Sequence, residues 1–330
     1  MQRRTFLCAS LGLGVTAASS WAMLQASAGS LVRGPAGPLR MHAAADLAFG
    51  TVVNIKVLHH DARQAELALA DALAETRKVD ALMSIYRPGS EVHTLNRDGR
   101  LDRPSPHLLA VLSEASRLSG LTEGAFDITV QPLWELAREG KSRVPALPLV
   151  GWRNLQADAS GVTLGAGMAI TLNGIAQGYA LDLARAALQA RGIRHALIDT
   201  GEFGALGAAE ASRPWTLGVR DPRREDAYAG VLQMDGRAVA TSGDYATAFT
   251  PDFSDHHIFD PATGMSPPEL AAVTVAAPSG ILADGLSTAF MVMGAQRSLA
   301  LAAGLQDVDL VAIDKGGRRW QSPGMRLQPA

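Results

Sequence analysis

Cysteine is almost missing from this chain. Its single occurrence in 330 residues, Cys8, lies in an N-terminal stretch that reads as a removable leader, so the mature chain has no disulfide, no thiolate metal site and no thiol nucleophile. Aromatic residues are scarce, at 5%, and the 30 basic and 32 acidic side chains give a formal charge of -2 without a Lys/Arg block. A base-stacking platform and the concentrated basic surface that neutralises phosphates are both missing, which excludes nucleic acid as the main partner. No apolar run in the mature chain is long enough to span a bilayer. Neither a Walker loop nor a Gly-x-Gly-x-x-Gly dinucleotide fingerprint occurs there. The 47% hydrophobic and 19% charged content is ordinary for a folded chain with a sizeable core, built as one large domain or two intimate ones.

The N-terminus carries an address rather than a fold element. Arg3-Arg4-Thr5-Phe6-Leu7 is a twin-arginine type start, an apolar stretch runs from Phe6 to about Ala18, and small residues close it at Ala26-Ser27-Ala28. Residues 1–28 are therefore expected to be a signal peptide cut after Ala22 or Ala28, with the mature protein in the periplasm; an uncleaved membrane anchor is the alternative. Phe6 and Leu7 stand where a lipoprotein acceptor would need small residues. Removing the leader takes Arg3 and Arg4 but no acid, leaving 28 basic against 32 acidic side chains and a formal charge of -4, which does not favour an anionic membrane surface. Residues 29–41, rich in Gly and Pro, read as a linker, and 42–330 as one domain.

Strands and helices alternate beyond the linker without a detectable repeat. Gly50–Leu58 alternates like a strand, and Ala65, Leu69, Ala72, Val79 and Leu82 recur at helical spacing from about Ala62 to Met83. Ser105-Pro106 is an N-cap and N1 pair opening a helix that buries Leu108, Leu112 and Ala115 and stops at Gly120. A strand is expected near Gly161–Leu172, then a helix ending at Gly192. Further strands are expected at His195–Asp199, Trp215–Arg220, Gly230–Met234, Arg237–Thr241, Ala271–Ala277 and Asp309–Ile313. Strands outnumber helices and often adjoin one another, which predicts α+β rather than a doubly wound sheet.

Several short segments carry residues suited to chemistry. Ser279 reads as an N-cap and Ile281–Met293 has a helical period, so Asp284 and Thr288, four residues apart, share one face; two hard oxygen donors suit Mg²⁺, and a polar stripe on a half-buried helix is the plainer alternative. Asn173-Gly174-Ile175-Ala176-Gln177-Gly178 brackets a strand-to-helix turn whose backbone and helix N-terminus can approach a phosphate, although such a pattern is also a common tight turn. Phe126 and Tyr86 offer faces to a flat ring, and Asp127 can accept from ring or ribose donors; a core Phe beside a helix-capping Asp reads equally well. His256 and His257 form an adjacent pair, and His257-Ile258-Phe259 looks strand-like before the turn at Asp260-Pro261. Neighbours on a strand face opposite ways, so the two histidines should not share one metal.

The order and spacing of these segments, together with Thr241-Ser242-Gly243-Asp244-Tyr245, resemble the FAD:protein FMN transferases, the ApbE flavin transferase family, from about Phe49 to the C-terminal region. The resemblance implies two interleaved subdomains with mixed or antiparallel sheets and packed helices, and a flavin nucleotide site between them. It implies Mg²⁺ at Asp284, Ser287, Thr288 and the main-chain carbonyl of Ala176. Contacts to FAD are implied for Phe49, Tyr86, Ala125, Phe126, Asp127, Asn173, Gln177 and Phe259, and an acid/base role for His257. The activity implied is Mg²⁺-dependent transfer of FMN from FAD to a Thr or Ser hydroxyl of a periplasm-facing flavoprotein, with AMP released. A metal-dependent FAD pyrophosphatase and a non-catalytic FAD carrier are the alternatives. The chain departs from the family pattern in three places: Phe49 replaces a common Met, Gln177 a common Lys, and Gly201-Glu202-Phe203-Gly204 lacks the usual double glycine.

Overall fold

A computed structural model describes residues 33–34, 37–210 and 213–329. The expected leader, with Arg3, Arg4, Cys8 and both cleavage points, lies outside them. The centre is an eight-stranded sheet formed by β1 (Arg40–Ala48), β2 (Thr51–His59), β3 (Ala196–Asp199), β4 (Phe203–Leu206), β5 (Ala238–Gly243), β6 (Leu270–Ala277), β7 (Asp309–Asp314) and β8 (Arg319–Gln321). These strands lie side by side in chain order, and every neighbouring pair is antiparallel.

Period-two alternation assigns the two faces. Val53, Ile55, Val57, Ile198, Ala240, Val273, Val275 and Leu310 point into a core shared with the helices. Leu197, Val239, Ala276 and Val311 point the other way. There they meet Val219 and Leu232 from a small sheet of Thr216–Arg220, Tyr228–Gln233 and Leu327–Gln328, and Trp215 just before it. Covered on both faces, β6 is buried along its whole length, which explains its run of small and branched residues, apolar except for Thr274.

The helical face carries α1 (Ala62–Met83), α5 (Ala176–Ala190) and α6 (Gly280–Met293). Asp61 caps α1 through Gln64 N, and Ser105 caps α3 (Pro106–Leu121) through Leu108 N. Between α1 and α5 the chain makes a long excursion holding α2 (Glu91–Asp98), α3, α4 (Gln131–Arg138) and a three-stranded sheet of Arg100–Asp102, Gln156–Ala157 and Gly161–Thr163. A last helix, α7 (Ala295–Ala303), follows α6. The architecture is α+β with antiparallel sheets, as the strand-rich sequence suggested.

Four local expectations change. Arg40 and Met41 belong to β1 rather than to a linker. The strand expected over Gly161–Leu172 ends at Thr163; further on, Ile170 pairs with the side-chain amide of Asn96 instead of a strand, its N–H donating at 2.7 Å and its carbonyl accepting at 2.8 Å. His257–Phe259 is not a strand, because pairing there is limited to an isolated bridge between Ala248 and His256. Ser279 precedes α6 without capping it; Asp182, on α5, accepts from Gly280 N at 2.8 Å and Ile281 N at 3.0 Å.

Candidate active site

A cavity of about 600 Å³ opens where the excursion meets the sheet and its helices. One end is aromatic. The two-residue β1–β2 turn is Phe49-Gly50, with φ of 55° and 72°, a type I′ arrangement in which a bulky residue takes a left-handed conformation. Phe49 N–H donates to Asp80 Oδ1 at 2.9 Å, which ties the turn to α1 and sets the Phe49 side chain in the cavity wall. Tyr86, 62% exposed, meets the Trp134 ring edge to face at 6.2 Å, and Ala125 and Phe126 continue the wall.

Two residues at this end also serve the fold. Asp127 lines the cavity but spends its carboxylate on capping: Oδ1 accepts from Thr129 N and Oγ1, and Oδ2 from Trp152 N. Phe259 lines it too, while stacking on Phe249 at 6.4 Å under the Arg143 guanidinium.

The opposite end is polar. Asn173, Gly174, Ala176 and Gln177 bring the N-terminal turn of α5 to the wall, and Asp284 and Thr288 face it from α6. A Cβ on Gly174 would lie 2.8 Å from Thr288 Oγ1, so only glycine lets this turn come so close. Gly178 serves packing rather than a ligand, since a Cβ there would sit 2.1 Å from the Gly280 carbonyl oxygen. Gln177 Nε2 donates to Thr200 O at 3.0 Å, and Thr200 Oγ1 donates back to Gln177 O, so this amide is tied to the β3–β4 loop. Ser287 stands behind the wall, where its hydroxyl donates to Asp284 O and shares a 2.7 Å hydrogen bond with Ser242 Oγ. Ser242 also lies 3.2 Å from Thr288 Oγ1.

Burial governs the charges at this end. Asp284 is 4% exposed, and burial pushes its carboxyl up to about 7 although it accepts the Gly178 N–H. Glu202 is pushed well up as well, by burial and then by the Asp284 charge. Among the described residues no three His, Cys, Asp or Glu side chains form a metal cage by themselves.

The two histidines part company. His257 lines the cavity, and its Nδ1 donates to the Thr247 carbonyl at 3.2 Å, which leaves Nε2 unprotonated when the ring is neutral. Burial lowers its pKa and favours that neutral form. His256 is fully buried outside the cavity, between the Pro267 carbonyl and Ile258 N.

Residues 49–312 match the sequence profile of the ApbE family. The chain belongs to the ApbE family. An FAD:protein FMN transferase of Vibrio cholerae is 31% identical over 304 residues, covering 84% of this chain and 89% of that one. Another, from Haemophilus influenzae, is 30% identical over 77% of this chain and 81% of its own. The crystal structure of the ApbE protein from Thermotoga maritima superposes with a TM-score of 0.78 at 30% identity, covering 86% of this chain and 97% of that one. The flavin transferase ApbE from Vibrio cholerae gives 0.75 at 27% identity, over 87% and 98%.

Three wall residues have no assigned role in the sequence reading. Trp134 follows Pro132 on a short helix whose register is invisible from aromatic content alone. Ser242 lies in a segment that carries the family resemblance, and only its contact with Thr288 gives it a task. Glu202 marks a departure from the family pattern, and its nearness to Asp284 arises only when β4 pairs with β5, which packs on α6.

Proposed function

We propose that this ApbE family member is a transferase that splits FAD at its pyrophosphate and passes FMN to a Thr or Ser hydroxyl of a target flavoprotein, releasing AMP in a Mg²⁺-dependent reaction. The observation that carries the proposal is a single cavity with aromatic faces at one end, a helix N-terminus and buried acid at the other, and the His257 imidazole on the wall. This is the layout an isoalloxazine ring joined to a pyrophosphate would need.

The acidic end fits a hard cation: Asp284 and Glu202 are buried acids with no ion-pair partner among the described residues, and Thr288 adds a neutral oxygen. Asp284, Thr288 and the Ala176 carbonyl would hold Mg²⁺, with Ser287 and Ser242 steadying the Thr288 hydroxyl from behind. When bound, Mg²⁺ neutralises pyrophosphate charge. His257 Nε2 takes the proton of the acceptor hydroxyl. The acceptor oxygen forms its bond to the FMN phosphorus as the bond from that phosphorus to the bridging oxygen breaks, and AMP leaves with that oxygen. Phe49, Tyr86, Ala125 and Phe126 hold the ring end in place.

The leader supports a second element of the proposal: export by the twin-arginine route, with an acceptor domain facing the periplasm. FAD incubated with the purified protein, Mg²⁺ and a Thr-bearing acceptor domain should give AMP and gel-fluorescent covalent flavin in equal amounts. AMP without covalent flavin would mean a pyrophosphatase, and bound FAD with neither product a carrier.

A further inference from the structure

Glu202 is the acid of the cavity that the reaction scheme leaves without a task. It sits between Gly201, whose φ is +98°, and the first residue of β4, and it is 8% exposed. Its Oε2 accepts the Thr241 N–H at 3.1 Å, which pins the carboxylate to the neighbouring strand. Its other oxygen accepts no hydrogen bond from any described residue, and the side chain lines the same cavity as Asp284 and Thr288. The Asp284 charge is near enough to act on Glu202, and no Lys, Arg or His among the described residues pairs with either acid.

Two buried carboxylates that share a cavity and have no cationic partner can be ionised together only when a ligand brings positive charge, because nothing else offsets the desolvation and mutual repulsion of the charged forms. A carboxylate that is held by the Thr241 N–H and lines the cavity is also preorganised for such a ligand. We propose that Glu202 is a second carboxylate facing the divalent cation held by Asp284, and that it raises the affinity of that site before FAD arrives. This rests on the proposed function in one respect only, the presence of a cation at Asp284.

The test is Mn²⁺ titration of the full-length protein, stripped of FAD and followed by electron paramagnetic resonance of the free ion, for the wild type, Glu202→Gln and Asp284→Asn. Glu202→Gln keeps the volume and the acceptor for Thr241 N–H. It should weaken Mn²⁺ binding about 10–100-fold, with FAD affinity in EDTA equal to or above that of the wild type. Wild-type Mn²⁺ affinity in Glu202→Gln, alongside its loss in Asp284→Asn, would overturn the role of Glu202 and leave the cation site standing. A wild type that binds no Mn²⁺ would overturn both. Should Glu202→Gln fail to fold, Glu202→Asp decides the matter: it keeps the charge on a shorter arm, so an affinity between those of the wild type and Asp284→Asn supports the proposal, and one equal to the wild type overturns it.

Discussion

The Gly178 amide donates a 2.9 Å hydrogen bond to Asp284 Oδ2 across the crossing of α5 and α6. The bond is possible because Gly178 has no side chain: a Cβ there would fall 2.1 Å from Gly280 O and 2.7 Å from Asp284 Cβ. Helix packing and placement of the buried acid therefore depend on the same missing atom. Gly178→Ala should destabilise the protein by about 2–4 kcal/mol, because the clash is with backbone rather than with a flexible side-chain end. Denaturant unfolding checks this, and a midpoint matching the wild type would contradict the close crossing.

Asp284→Asn should abolish transfer while leaving the protein folded. The amide oxygen still accepts from Gly178 N–H, and the lost charge is the one proposed to hold Mg²⁺. AMP release and thermal unfolding are the paired measurements. Undiminished AMP release by the wild type in excess EDTA would sink the metal assignment.

His257→Asn should lower the transfer rate by about 10²–10⁴ with FAD binding little changed. Burial moves the His257 pKa down, so the base is lost only below the ordinary imidazole range, and the wild-type rate should rise with pH through that lowered pKa. The acidic limb should vanish in His257→Asn, and a limb that persists there would assign the base elsewhere.

His256 should affect stability instead of rate. Burial, opposed by the hydrogen bond to the Pro267 carbonyl and less by Asp244, and aided by smaller contributions from His257 and Lys315, pushes its pKa down from 6.5 to about 4. Between those values the unfolded chain holds a proton that the folded chain does not, so stability is complete above pH 6.5 and falls as pH drops toward 4, by about 3 kcal/mol in all. His256→Asn should flatten that part of the stability profile, relative to the wild type, and leave the rate of the folded enzyme nearly unchanged. An unaltered pH profile of unfolding would show that the ring does not titrate as described.

Replacing Arg3 and Arg4 together by Lys should leave precursor in the cytoplasm if the pair is the proposed receptor-read address, because Lys keeps the charge and loses the address. Fractionation with mass spectrometry of the mature N-terminus tests the route and places the cut. Normal periplasmic accumulation of the double variant would refute it.

Local chemistry decided much of this protein. The bounds of α1 follow from Asp61, a cap, and an apolar stripe at helical spacing, and those of α3 from Ser105-Pro106; both signals act within one or two turns and need no distant partner. The placement of Asp284 and Thr288 one turn apart on one face follows equally from the period of the helix. Sequence patterning was weaker where an element depends on its neighbour. β1 buries only Ala48 well, and its run of Ala43, Ala44 and Ala45 carries little pattern until β2 pairs with it. β4 has four residues, too few to display a period.

The site itself depended on closure of the fold. The parting of His256 from His257 was anticipated from strand alternation, yet no strand exists there, and what divides them is a loop with one ring in the core and the other in the cavity. Asp127 could be read from sequence as a nucleotide contact or as a cap, and only the positions of Thr129 and Trp152 show its carboxylate already engaged. Glu202 and Asp284 lie far apart in the chain, and neither is unusual until the folded chain strips both of water in one cavity. Hydrophobic period and capping are short-range properties that a sequence displays directly. Desolvation and the repulsion between two buried charges exist only in the assembled structure, because they depend on what the rest of the chain excludes.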